Sequence, residues 1–188
     1  MNTADRLVAA AANLLDEGGD AAVTLRGVAT ATGVSHNAPY KHFASRDDLL
    51  AGVATADFLA IAQAWKQIRA SVSEPTARLL SALDVVIRFS QEHSARHRLL
   101  FGSPDIAARG GPLTDAANAA LRVFAEIVED CQAADELPAS PSGTLAIVIF
   151  ATLHGLIDAD ASGRLRSESG WADIGSGMRL LIGLLHNR

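Results

Sequence analysis

The chain has 188 residues, enough for one sizeable core or for a small domain joined to a larger one. Its apolar fraction is 49%, alanine is abundant, and β-branched and aromatic residues form no alternating runs, so the composition favours helices and argues against sheets. Sixteen Lys and Arg face 21 Asp and Glu, and this net charge of −5 argues mildly against a nucleic-acid partner.

Two short helices are predicted at the start of the chain. Thr3 is the expected N-cap of the first helix, which Gly18 and Gly19 end. Thr24 is the expected N-cap of the second helix, and Gly33 supplies the turn that follows.

A third short helix is expected from Ser35 to Phe43. Pro39 lies near its first turn and removes one backbone donor, so we expect this helix to start tightly wound or bent. Ser45 then opens an S-x-x-D capping box that leads into a long helix.

The fourth predicted helix is long and carries apolar residues at spacings of three and four, with Asp57 in the same stripe. It continues past Trp65 until Pro75 stops it, and it joins the two parts of the chain. Helical periodicity returns four more times before a final helix, in segments near residues 76–93, 99–101, 113–137, 144–160 and 171–185. The sequence thus predicts an all-α protein of about nine helices, divided into residues 1–48 and residues 49–188.

The segment 144–160 is apolar on nearly every side, and the final helix has one apolar face. A helix that is apolar all round needs cover all round, so we expect the last two helices to pack against their copies in a homodimer. The longest apolar run, near residues 145–157, falls short of the ~20 residues of a membrane span and predicts a buried helix rather than a membrane partner.

Residues 24–43 have the pattern of a helix-turn-helix. Ala29 is small where two helices would cross, Gly33 can adopt a left-handed turn, and Val28 and Val34 are apolar anchors on either side. Many helix pairs with a glycine turn bind no DNA, so this pattern needs its context.

The context resembles the N-terminal DNA-binding domain of the tetracycline-repressor (TetR) family. The matching stretches are Gly-Val-Ser at 33–35, Tyr-Lys-His-Phe at 40–43 and Ser-Arg-Asp-Asp-Leu-Leu at 45–50, and the close resemblance covers about the first 50 residues. The stretch 150–156 resembles the tryptophan-histidine-glycine type of TetR C-terminal domain, with a threonine where a tryptophan is expected.

The resemblance implies a transcriptional repressor that a small molecule releases from a palindromic operator in double-stranded DNA. It implies base contacts from Ser35, His36, Asn37 and Ala38. It implies phosphate contacts from Thr24, Tyr40, Lys41, His42 and Arg46, with Arg6 or Arg26 assisting. The side-chain chemistry agrees, since an asparagine can pair with adenine while Lys and Arg hold phosphates. No acid occurs between Val34 and Arg46, so the surface would be locally positive despite the net charge.

The apolar side chains of the second domain have two interpretations, as plain core or as the lining of a cavity for a partly apolar effector. The candidate ligand-binding residues are Phe58, Trp65, Ile87, Phe101, Phe124, Phe150 and His154. His154 would be the polar contact in such a cavity, or a satisfied core histidine.

Other classes of protein find less support. A helical ligand-binding or scaffolding protein with a vestigial DNA-binding domain is favoured by the negative charge of the first fifty residues, which hold four Lys and Arg against six Asp and Glu. An enzyme using His93, His97 or His154 lacks any supporting constellation, and the His93/His97 pair lacks a third metal ligand, so we expect no catalytic, metal or cofactor site.

Two features of the sequence predict the cellular location. Cys131 is the single cysteine, so it excludes an internal disulfide framework and fits a reducing compartment, where we expect a buried or half-buried thiol. The first residues lack the basic and apolar segments of a secretory signal, and we therefore expect a cytoplasmic protein.

Overall fold

The computed structural model describes residues 2–165, 168 and 170–186, and every regular element in that part of the chain is a helix. The α-helices there are α1 (Thr3–Gly18), α2 (Leu25–Thr32), α3 (Arg46–Ser71), α4 (Pro75–Glu92), α5 (Ser94–Phe101), α6 (Pro104–Ala107), α7 (Pro112–Ala133), α8 (Ser142–Ala161) and α9 (Ile174–His186). Two 3-10 helices, Asp20–Ala22 and Pro39–Lys41, lie on either side of α2. The predicted all-α fold is confirmed.

The chain forms two compact units. The first contains residues 1–60 and 89–118, and the second contains residues 61–88 and 119–188. Helices α3, α4 and α7 each contribute residues to both units. The predicted boundary after residue 48 divides the chain by function rather than by packing, and it stays a prediction.

Local capping signals define the start of the first unit. Asn2, rather than the predicted Thr3, caps α1, because its side chain accepts from the Asp5 amide at 2.9 Å while the Asp5 carboxylate accepts from the Asn2 amide at 3.0 Å. Thr24 caps α2 as predicted, accepting from the Gly27 amide at 2.9 Å. Gly33 ends α2 in the left-handed conformation, with φ of 68°.

Helix α3 packs closely against the preceding elements of the first unit. The Ser45 hydroxyl accepts from the Asp48 amide at 3.1 Å, as the capping box predicts. At Gly52, an added Cβ would lie 3.2 Å from a Val8 methyl and 3.3 Å from the Phe43 ring, so a glycine lets α1 and the segment before α3 approach this closely.

The second unit is a bundle of the later part of α3 with α4, α7, α8 and α9. Charged side chains tie three of these helices together: Asp130 of α7 accepts from Arg69 of α3 at 2.8 Å and from Arg78 of α4 at 2.6 Å. Arg78 also donates to the Val72 carbonyl at 3.0 Å, which satisfies a backbone acceptor where α3 ends.

Within a single chain, helix α8 is buried on one side only. Its inner side carries Ala146, Ile149, Leu153 and Ile157, whereas Ile147 and Val148 are more than half exposed. The helix has 20 residues, more than the predicted apolar run, and by length and composition alone it could cross a membrane. On α9, Leu180 and Leu184 are also exposed, at 66% and 60%.

Candidate DNA-contact surface and aromatic core

The predicted DNA-contact residues lie at the surface of the first unit. The exposed residues among them are Thr24, Arg26, Ser35, His36, Asn37, Tyr40, Lys41 and His42, while Ala38 and Arg46 are half-buried. Tyr40 is 54% exposed and is therefore no core aromatic. Pro39 is buried beneath this exposed segment and anchors it to the unit.

The segment from Ser35 to Phe43 is not the predicted α-helix. It consists of a turn, in which the Ala38 amide donates to the Ser35 carbonyl at 2.9 Å, followed by the 3-10 helix Pro39–Lys41. Proline fits the first position of a helix because its missing N–H has no partner there, but it cannot continue an α-helix that began at Ser35. Ala38 nevertheless adopts helical angles, against the usual bias of a residue before proline.

Two of the nearby arginines also serve the fold. Arg46 donates to the Val23 carbonyl at 2.7 Å and pairs with Asp20 at 2.7 Å, fastening α3 to the 3-10 helix Asp20–Ala22. Arg6 donates to the Thr32 carbonyl at 2.8 Å, at the end of α2. Lys41 of this segment and Arg26 of α2 are both exposed, so their positive charges are available at the surface of the first unit.

Four of the seven candidate ligand-binding residues meet in the second unit, where they form an aromatic core. The ring centroids of Trp65 and Phe124 are 5.1 Å apart, and Phe150 lies 5.9 Å from Trp65 and 5.4 Å from Phe124. The His154 ring stands edge-on to Phe150 at 4.4 Å. The Trp65 indole donates to the Ala82 carbonyl at 2.8 Å, so its polar atom is satisfied inside the core.

The other three candidates lie elsewhere. Phe58 and Phe101 belong to the first unit, where their rings meet edge to face at 5.6 Å. Ile87 belongs to the second unit and lines a cavity of about 230 Å³ between α4 and α9, together with Leu80 and Met178.

A charged cluster in the first unit was missed by the sequence analysis. Arg96 of α5 donates to Asp57 of α3 at 3.0 Å and to Asp16 of α1 at 3.2 Å, and His93 approaches Asp16 at 2.8 Å. Burial raises the pKa of Asp57, an effect that the Arg96 guanidinium opposes. The available signal was Asp57 itself, an acid within an apolar stripe.

The remaining candidates have structural surroundings. His97 is buried, with its ring 5.0 Å from Phe101. No cluster of three metal-binding side chains occurs in the part of the chain that the structure describes. Cys131 is fully buried, and burial, together with the nearby Glu136 carboxylate, raises the pKa of its thiol to about 12.

Comparison with known proteins places both parts of the chain in one family. Residues 7–53 match the family described as "Bacterial regulatory proteins, tetR family", and residues 79–175 match "Tetracyclin repressor-like, C-terminal domain". The second match alone spans more than half of the chain. The protein belongs to the TetR family and is a DNA-binding transcriptional regulator, which confirms the predicted resemblance.

Solved structures show the same fold. A protein of unknown function from Rhodococcus sp. RHA1 is 26% identical with a TM-score of 0.81, over 100% of this chain and 95% of that one. Reduced NemR from E. coli is 14% identical with a TM-score of 0.74, over 98% of both chains. A putative TetR-family transcriptional regulator from Rhodococcus sp. is 21% identical with a TM-score of 0.69, over 97% of both chains. No curated protein sequence matches the chain.

Proposed function

We propose that the protein is a cytoplasmic repressor that binds a palindromic operator as a homodimer and leaves it when a partly apolar small molecule binds the second unit. The observation that carries the proposal is the exposed segment from Ser35 to Lys41, which rests on buried Pro39 and adjoins the Thr24 cap of α2. Such a protrusion fits the major groove, where base edges are distinguishable.

The exposed segment offers two kinds of contact to DNA. His36 can donate to guanine acceptors, Asn37 can pair with adenine, and the methyl of Ala38 can meet that of thymine. Tyr40 and Lys41 would hold phosphates, which set the position of the protein without reading sequence. Arg46 already pairs with Asp20, so that carboxylate would partly neutralise its charge toward a phosphate. We therefore assign Arg46 a smaller contribution to DNA affinity than Lys41.

The homodimer would form through the outer faces of α8 and α9. Ile147, Val148, Leu180 and Leu184 are exposed apolar side chains on these two helices, and a second copy would cover them symmetrically. The inner side of α8 is already packed in the core of the second unit, so a partner protein accounts for its apolar outer side better than lipid does.

The effector would bind at the aromatic core around Trp65, Phe124 and Phe150. These rings offer apolar faces, and His154 at their edge offers an imidazole that can orient a polar group. Helix α3 contributes Arg46 to the first unit and Trp65 to the second. An effector that favours one tilt of α3 would therefore shift the population of DNA-competent dimers. Nothing in this arrangement calls for catalysis.

A binding assay with DNA from the promoter region of its own gene tests the proposal. Fluorescence anisotropy should show binding that an unlabelled copy of the same duplex competes away, and that a scrambled duplex competes away at least ~10³-fold less well. Equal competition by both duplexes, or no binding, would favour the vestigial DNA-binding domain instead. Compounds are then screened for release of the bound duplex.

A further inference from the structure

Three helices of the first unit meet at one arginine. The guanidinium of Arg96, on α5, makes a two-pronged pair with Asp57 of α3 and reaches Asp16 of α1 with a third nitrogen. His93, which precedes α5, approaches the same Asp16 oxygen at 2.8 Å. The planar fork of an arginine can serve two carboxylates at once, whereas the single ammonium of a lysine cannot match that geometry.

Neither carboxylate is in a favourable position without its cations. Asp57 is 3% exposed, and a buried carboxylate is costly unless a cation and hydrogen bonds accompany it. Asp16 lies in the last turn of α1, where the negative end of the helix dipole disfavours an acid. Both costs are offset by Arg96, so this arginine joins α1 and α3 more firmly than packing alone would.

The relative position of α1 and α3 determines how the exposed segment from Ser35 to Lys41 is held in the first unit. Gly52 of α3 lies against Val8 of α1 and against Phe43, two residues after the exposed segment from Ser35 to Lys41. At the other end of α5, Phe101 packs on Phe58 of α3. Helix α5 therefore contacts α3 through Arg96 near its N-terminal end and through Phe101 at its C-terminal end, and it contacts α1 through Arg96.

We propose that Arg96 is a positioning residue for DNA binding: it fixes α1 to α3 from α5, so that the exposed segment of each subunit is held at one operator spacing. This inference rests on the proposed function.

Two variants separate this role from a general contribution to stability. Asp16→Ala removes the ion pair with α1 and leaves the buried Arg96–Asp57 pair intact, and alanine has a high helix propensity. Arg96→Met/Asp57→Asn removes the ion pair without stranding a buried charge. The matched control is Arg88→Met/Asp84→Asn, which removes an exposed pair within α4 whose nitrogen and oxygen are 3.2 Å apart.

Two quantities are measured. The first is the rate of amide hydrogen exchange in α1. The second is the affinity for duplexes in which the two half-sites are one base pair closer together or farther apart. The operator is the duplex that the wild-type protein enriches from a random-sequence pool. In both variants α1 should exchange faster, and the preference for the best spacing over the shifted spacings should fall by about fivefold or more. The control should match the wild-type protein in both respects.

Unchanged α1 exchange or unchanged spacing preference in Asp16→Ala would overturn the inference, and so would an equal change in the control. Failure of the wild-type protein to enrich any duplex is a different result, because it contradicts the proposed function itself. Arg96→Lys should retain part of the spacing preference, since one of the two carboxylates keeps a cation.

Discussion

At the scale of single residues, the proposed DNA contacts of the exposed segment separate affinity from specificity. Lys41 and Asn37 are four residues apart on the same exposed surface, yet one carries a charge and the other a paired donor and acceptor. A phosphate contact contributes equally on every duplex and is weakened by salt, whereas a base contact contributes only on the right sequence. The two side chains should therefore respond differently to the same experiments.

Lys41→Ala should weaken binding to operator and scrambled duplexes by a similar factor. It should also reduce the slope of log K against log salt by about 2 per dimer, because each subunit would hold one phosphate fewer. The measurement is anisotropy over a salt series. Lys66→Ala is the matched control, because Lys66 is an exposed lysine on α3 in the second unit. Weaker binding to the operator alone would contradict the phosphate role.

Cys131 should be unreactive in the folded protein. Its side chain is fully buried and the pKa of its thiol is raised to about 12, so almost no thiolate exists at pH 8. Ellman's reagent should find no thiol under native conditions and one per chain in denaturant. Rapid reaction of the native protein would contradict this burial and would favour a redox sensor.

At the scale of elements, ion pairs tie helices together in each unit. In the second unit, hydrogen bonds from Arg69 lower the pKa of Asp130, and Arg78 adds to the effect. A lowered pKa in the folded state means that this stabilisation is present above the ordinary aspartate value and is lost as the pH falls toward the folded value. Acid should therefore loosen the contacts between α3, α4 and α7.

Asp130→Asn should lower the free energy of unfolding at pH 7 by about 1 kcal/mol, discounted for partial exposure of the pair. The same variant should lose less of its remaining stability than the wild-type protein between pH 5 and pH 3. Urea unfolding at pH 7, 5 and 3 measures both quantities. Parallel losses of stability with acid in the two proteins would show that Asp130 does not contribute this pH dependence.

Elements with local signals were predicted well, and elements set by distant contacts were not. Thr24, Gly33 and Ser45 act within a few residues of themselves, so their roles were readable from the sequence. The third helix was predicted too long, since Pro39 restricts it to the 3-10 helix Pro39–Lys41, although tight winding near Pro39 was expected. The Val23 carbonyl that Arg46 binds and the two carboxylates that Arg96 binds lie from 23 to 80 residues away, and no periodicity shows such pairings. Which side of α8 faces the core could not be predicted, because a segment that is apolar on nearly every side has no periodicity that orients it.

At the scale of the whole molecule, the proposed recognition of a palindromic operator requires two copies of the chain. One exposed segment would contact a single half-site, and the spacing of two half-sites, about 34–36 Å, is a property of a dimer. The apolar outer faces of α8 and α9 are where we propose that the copies meet.

Leu180→Glu/Leu184→Glu should give a monomer by light scattering at micromolar concentration, because charges on the paired faces would be buried without partners. Operator affinity should fall with dimerisation. Leu59→Glu is the control, since Leu59 is an exposed leucine in the first unit and its substitution should leave a dimer. A dimer that survives the double substitution would place the interface elsewhere.

Sequencing the duplexes that the protein enriches from a random pool tests the central claim most directly. We predict an inverted repeat whose half-site centres lie about 10 base pairs or a multiple of that apart. We also predict that Asn37→Ala relaxes the preference at one symmetric pair of positions. No enrichment, or a preferred sequence that Asn37→Ala leaves unchanged at every position, would contradict the claim that two copies of the segment from Ser35 to Lys41 read DNA.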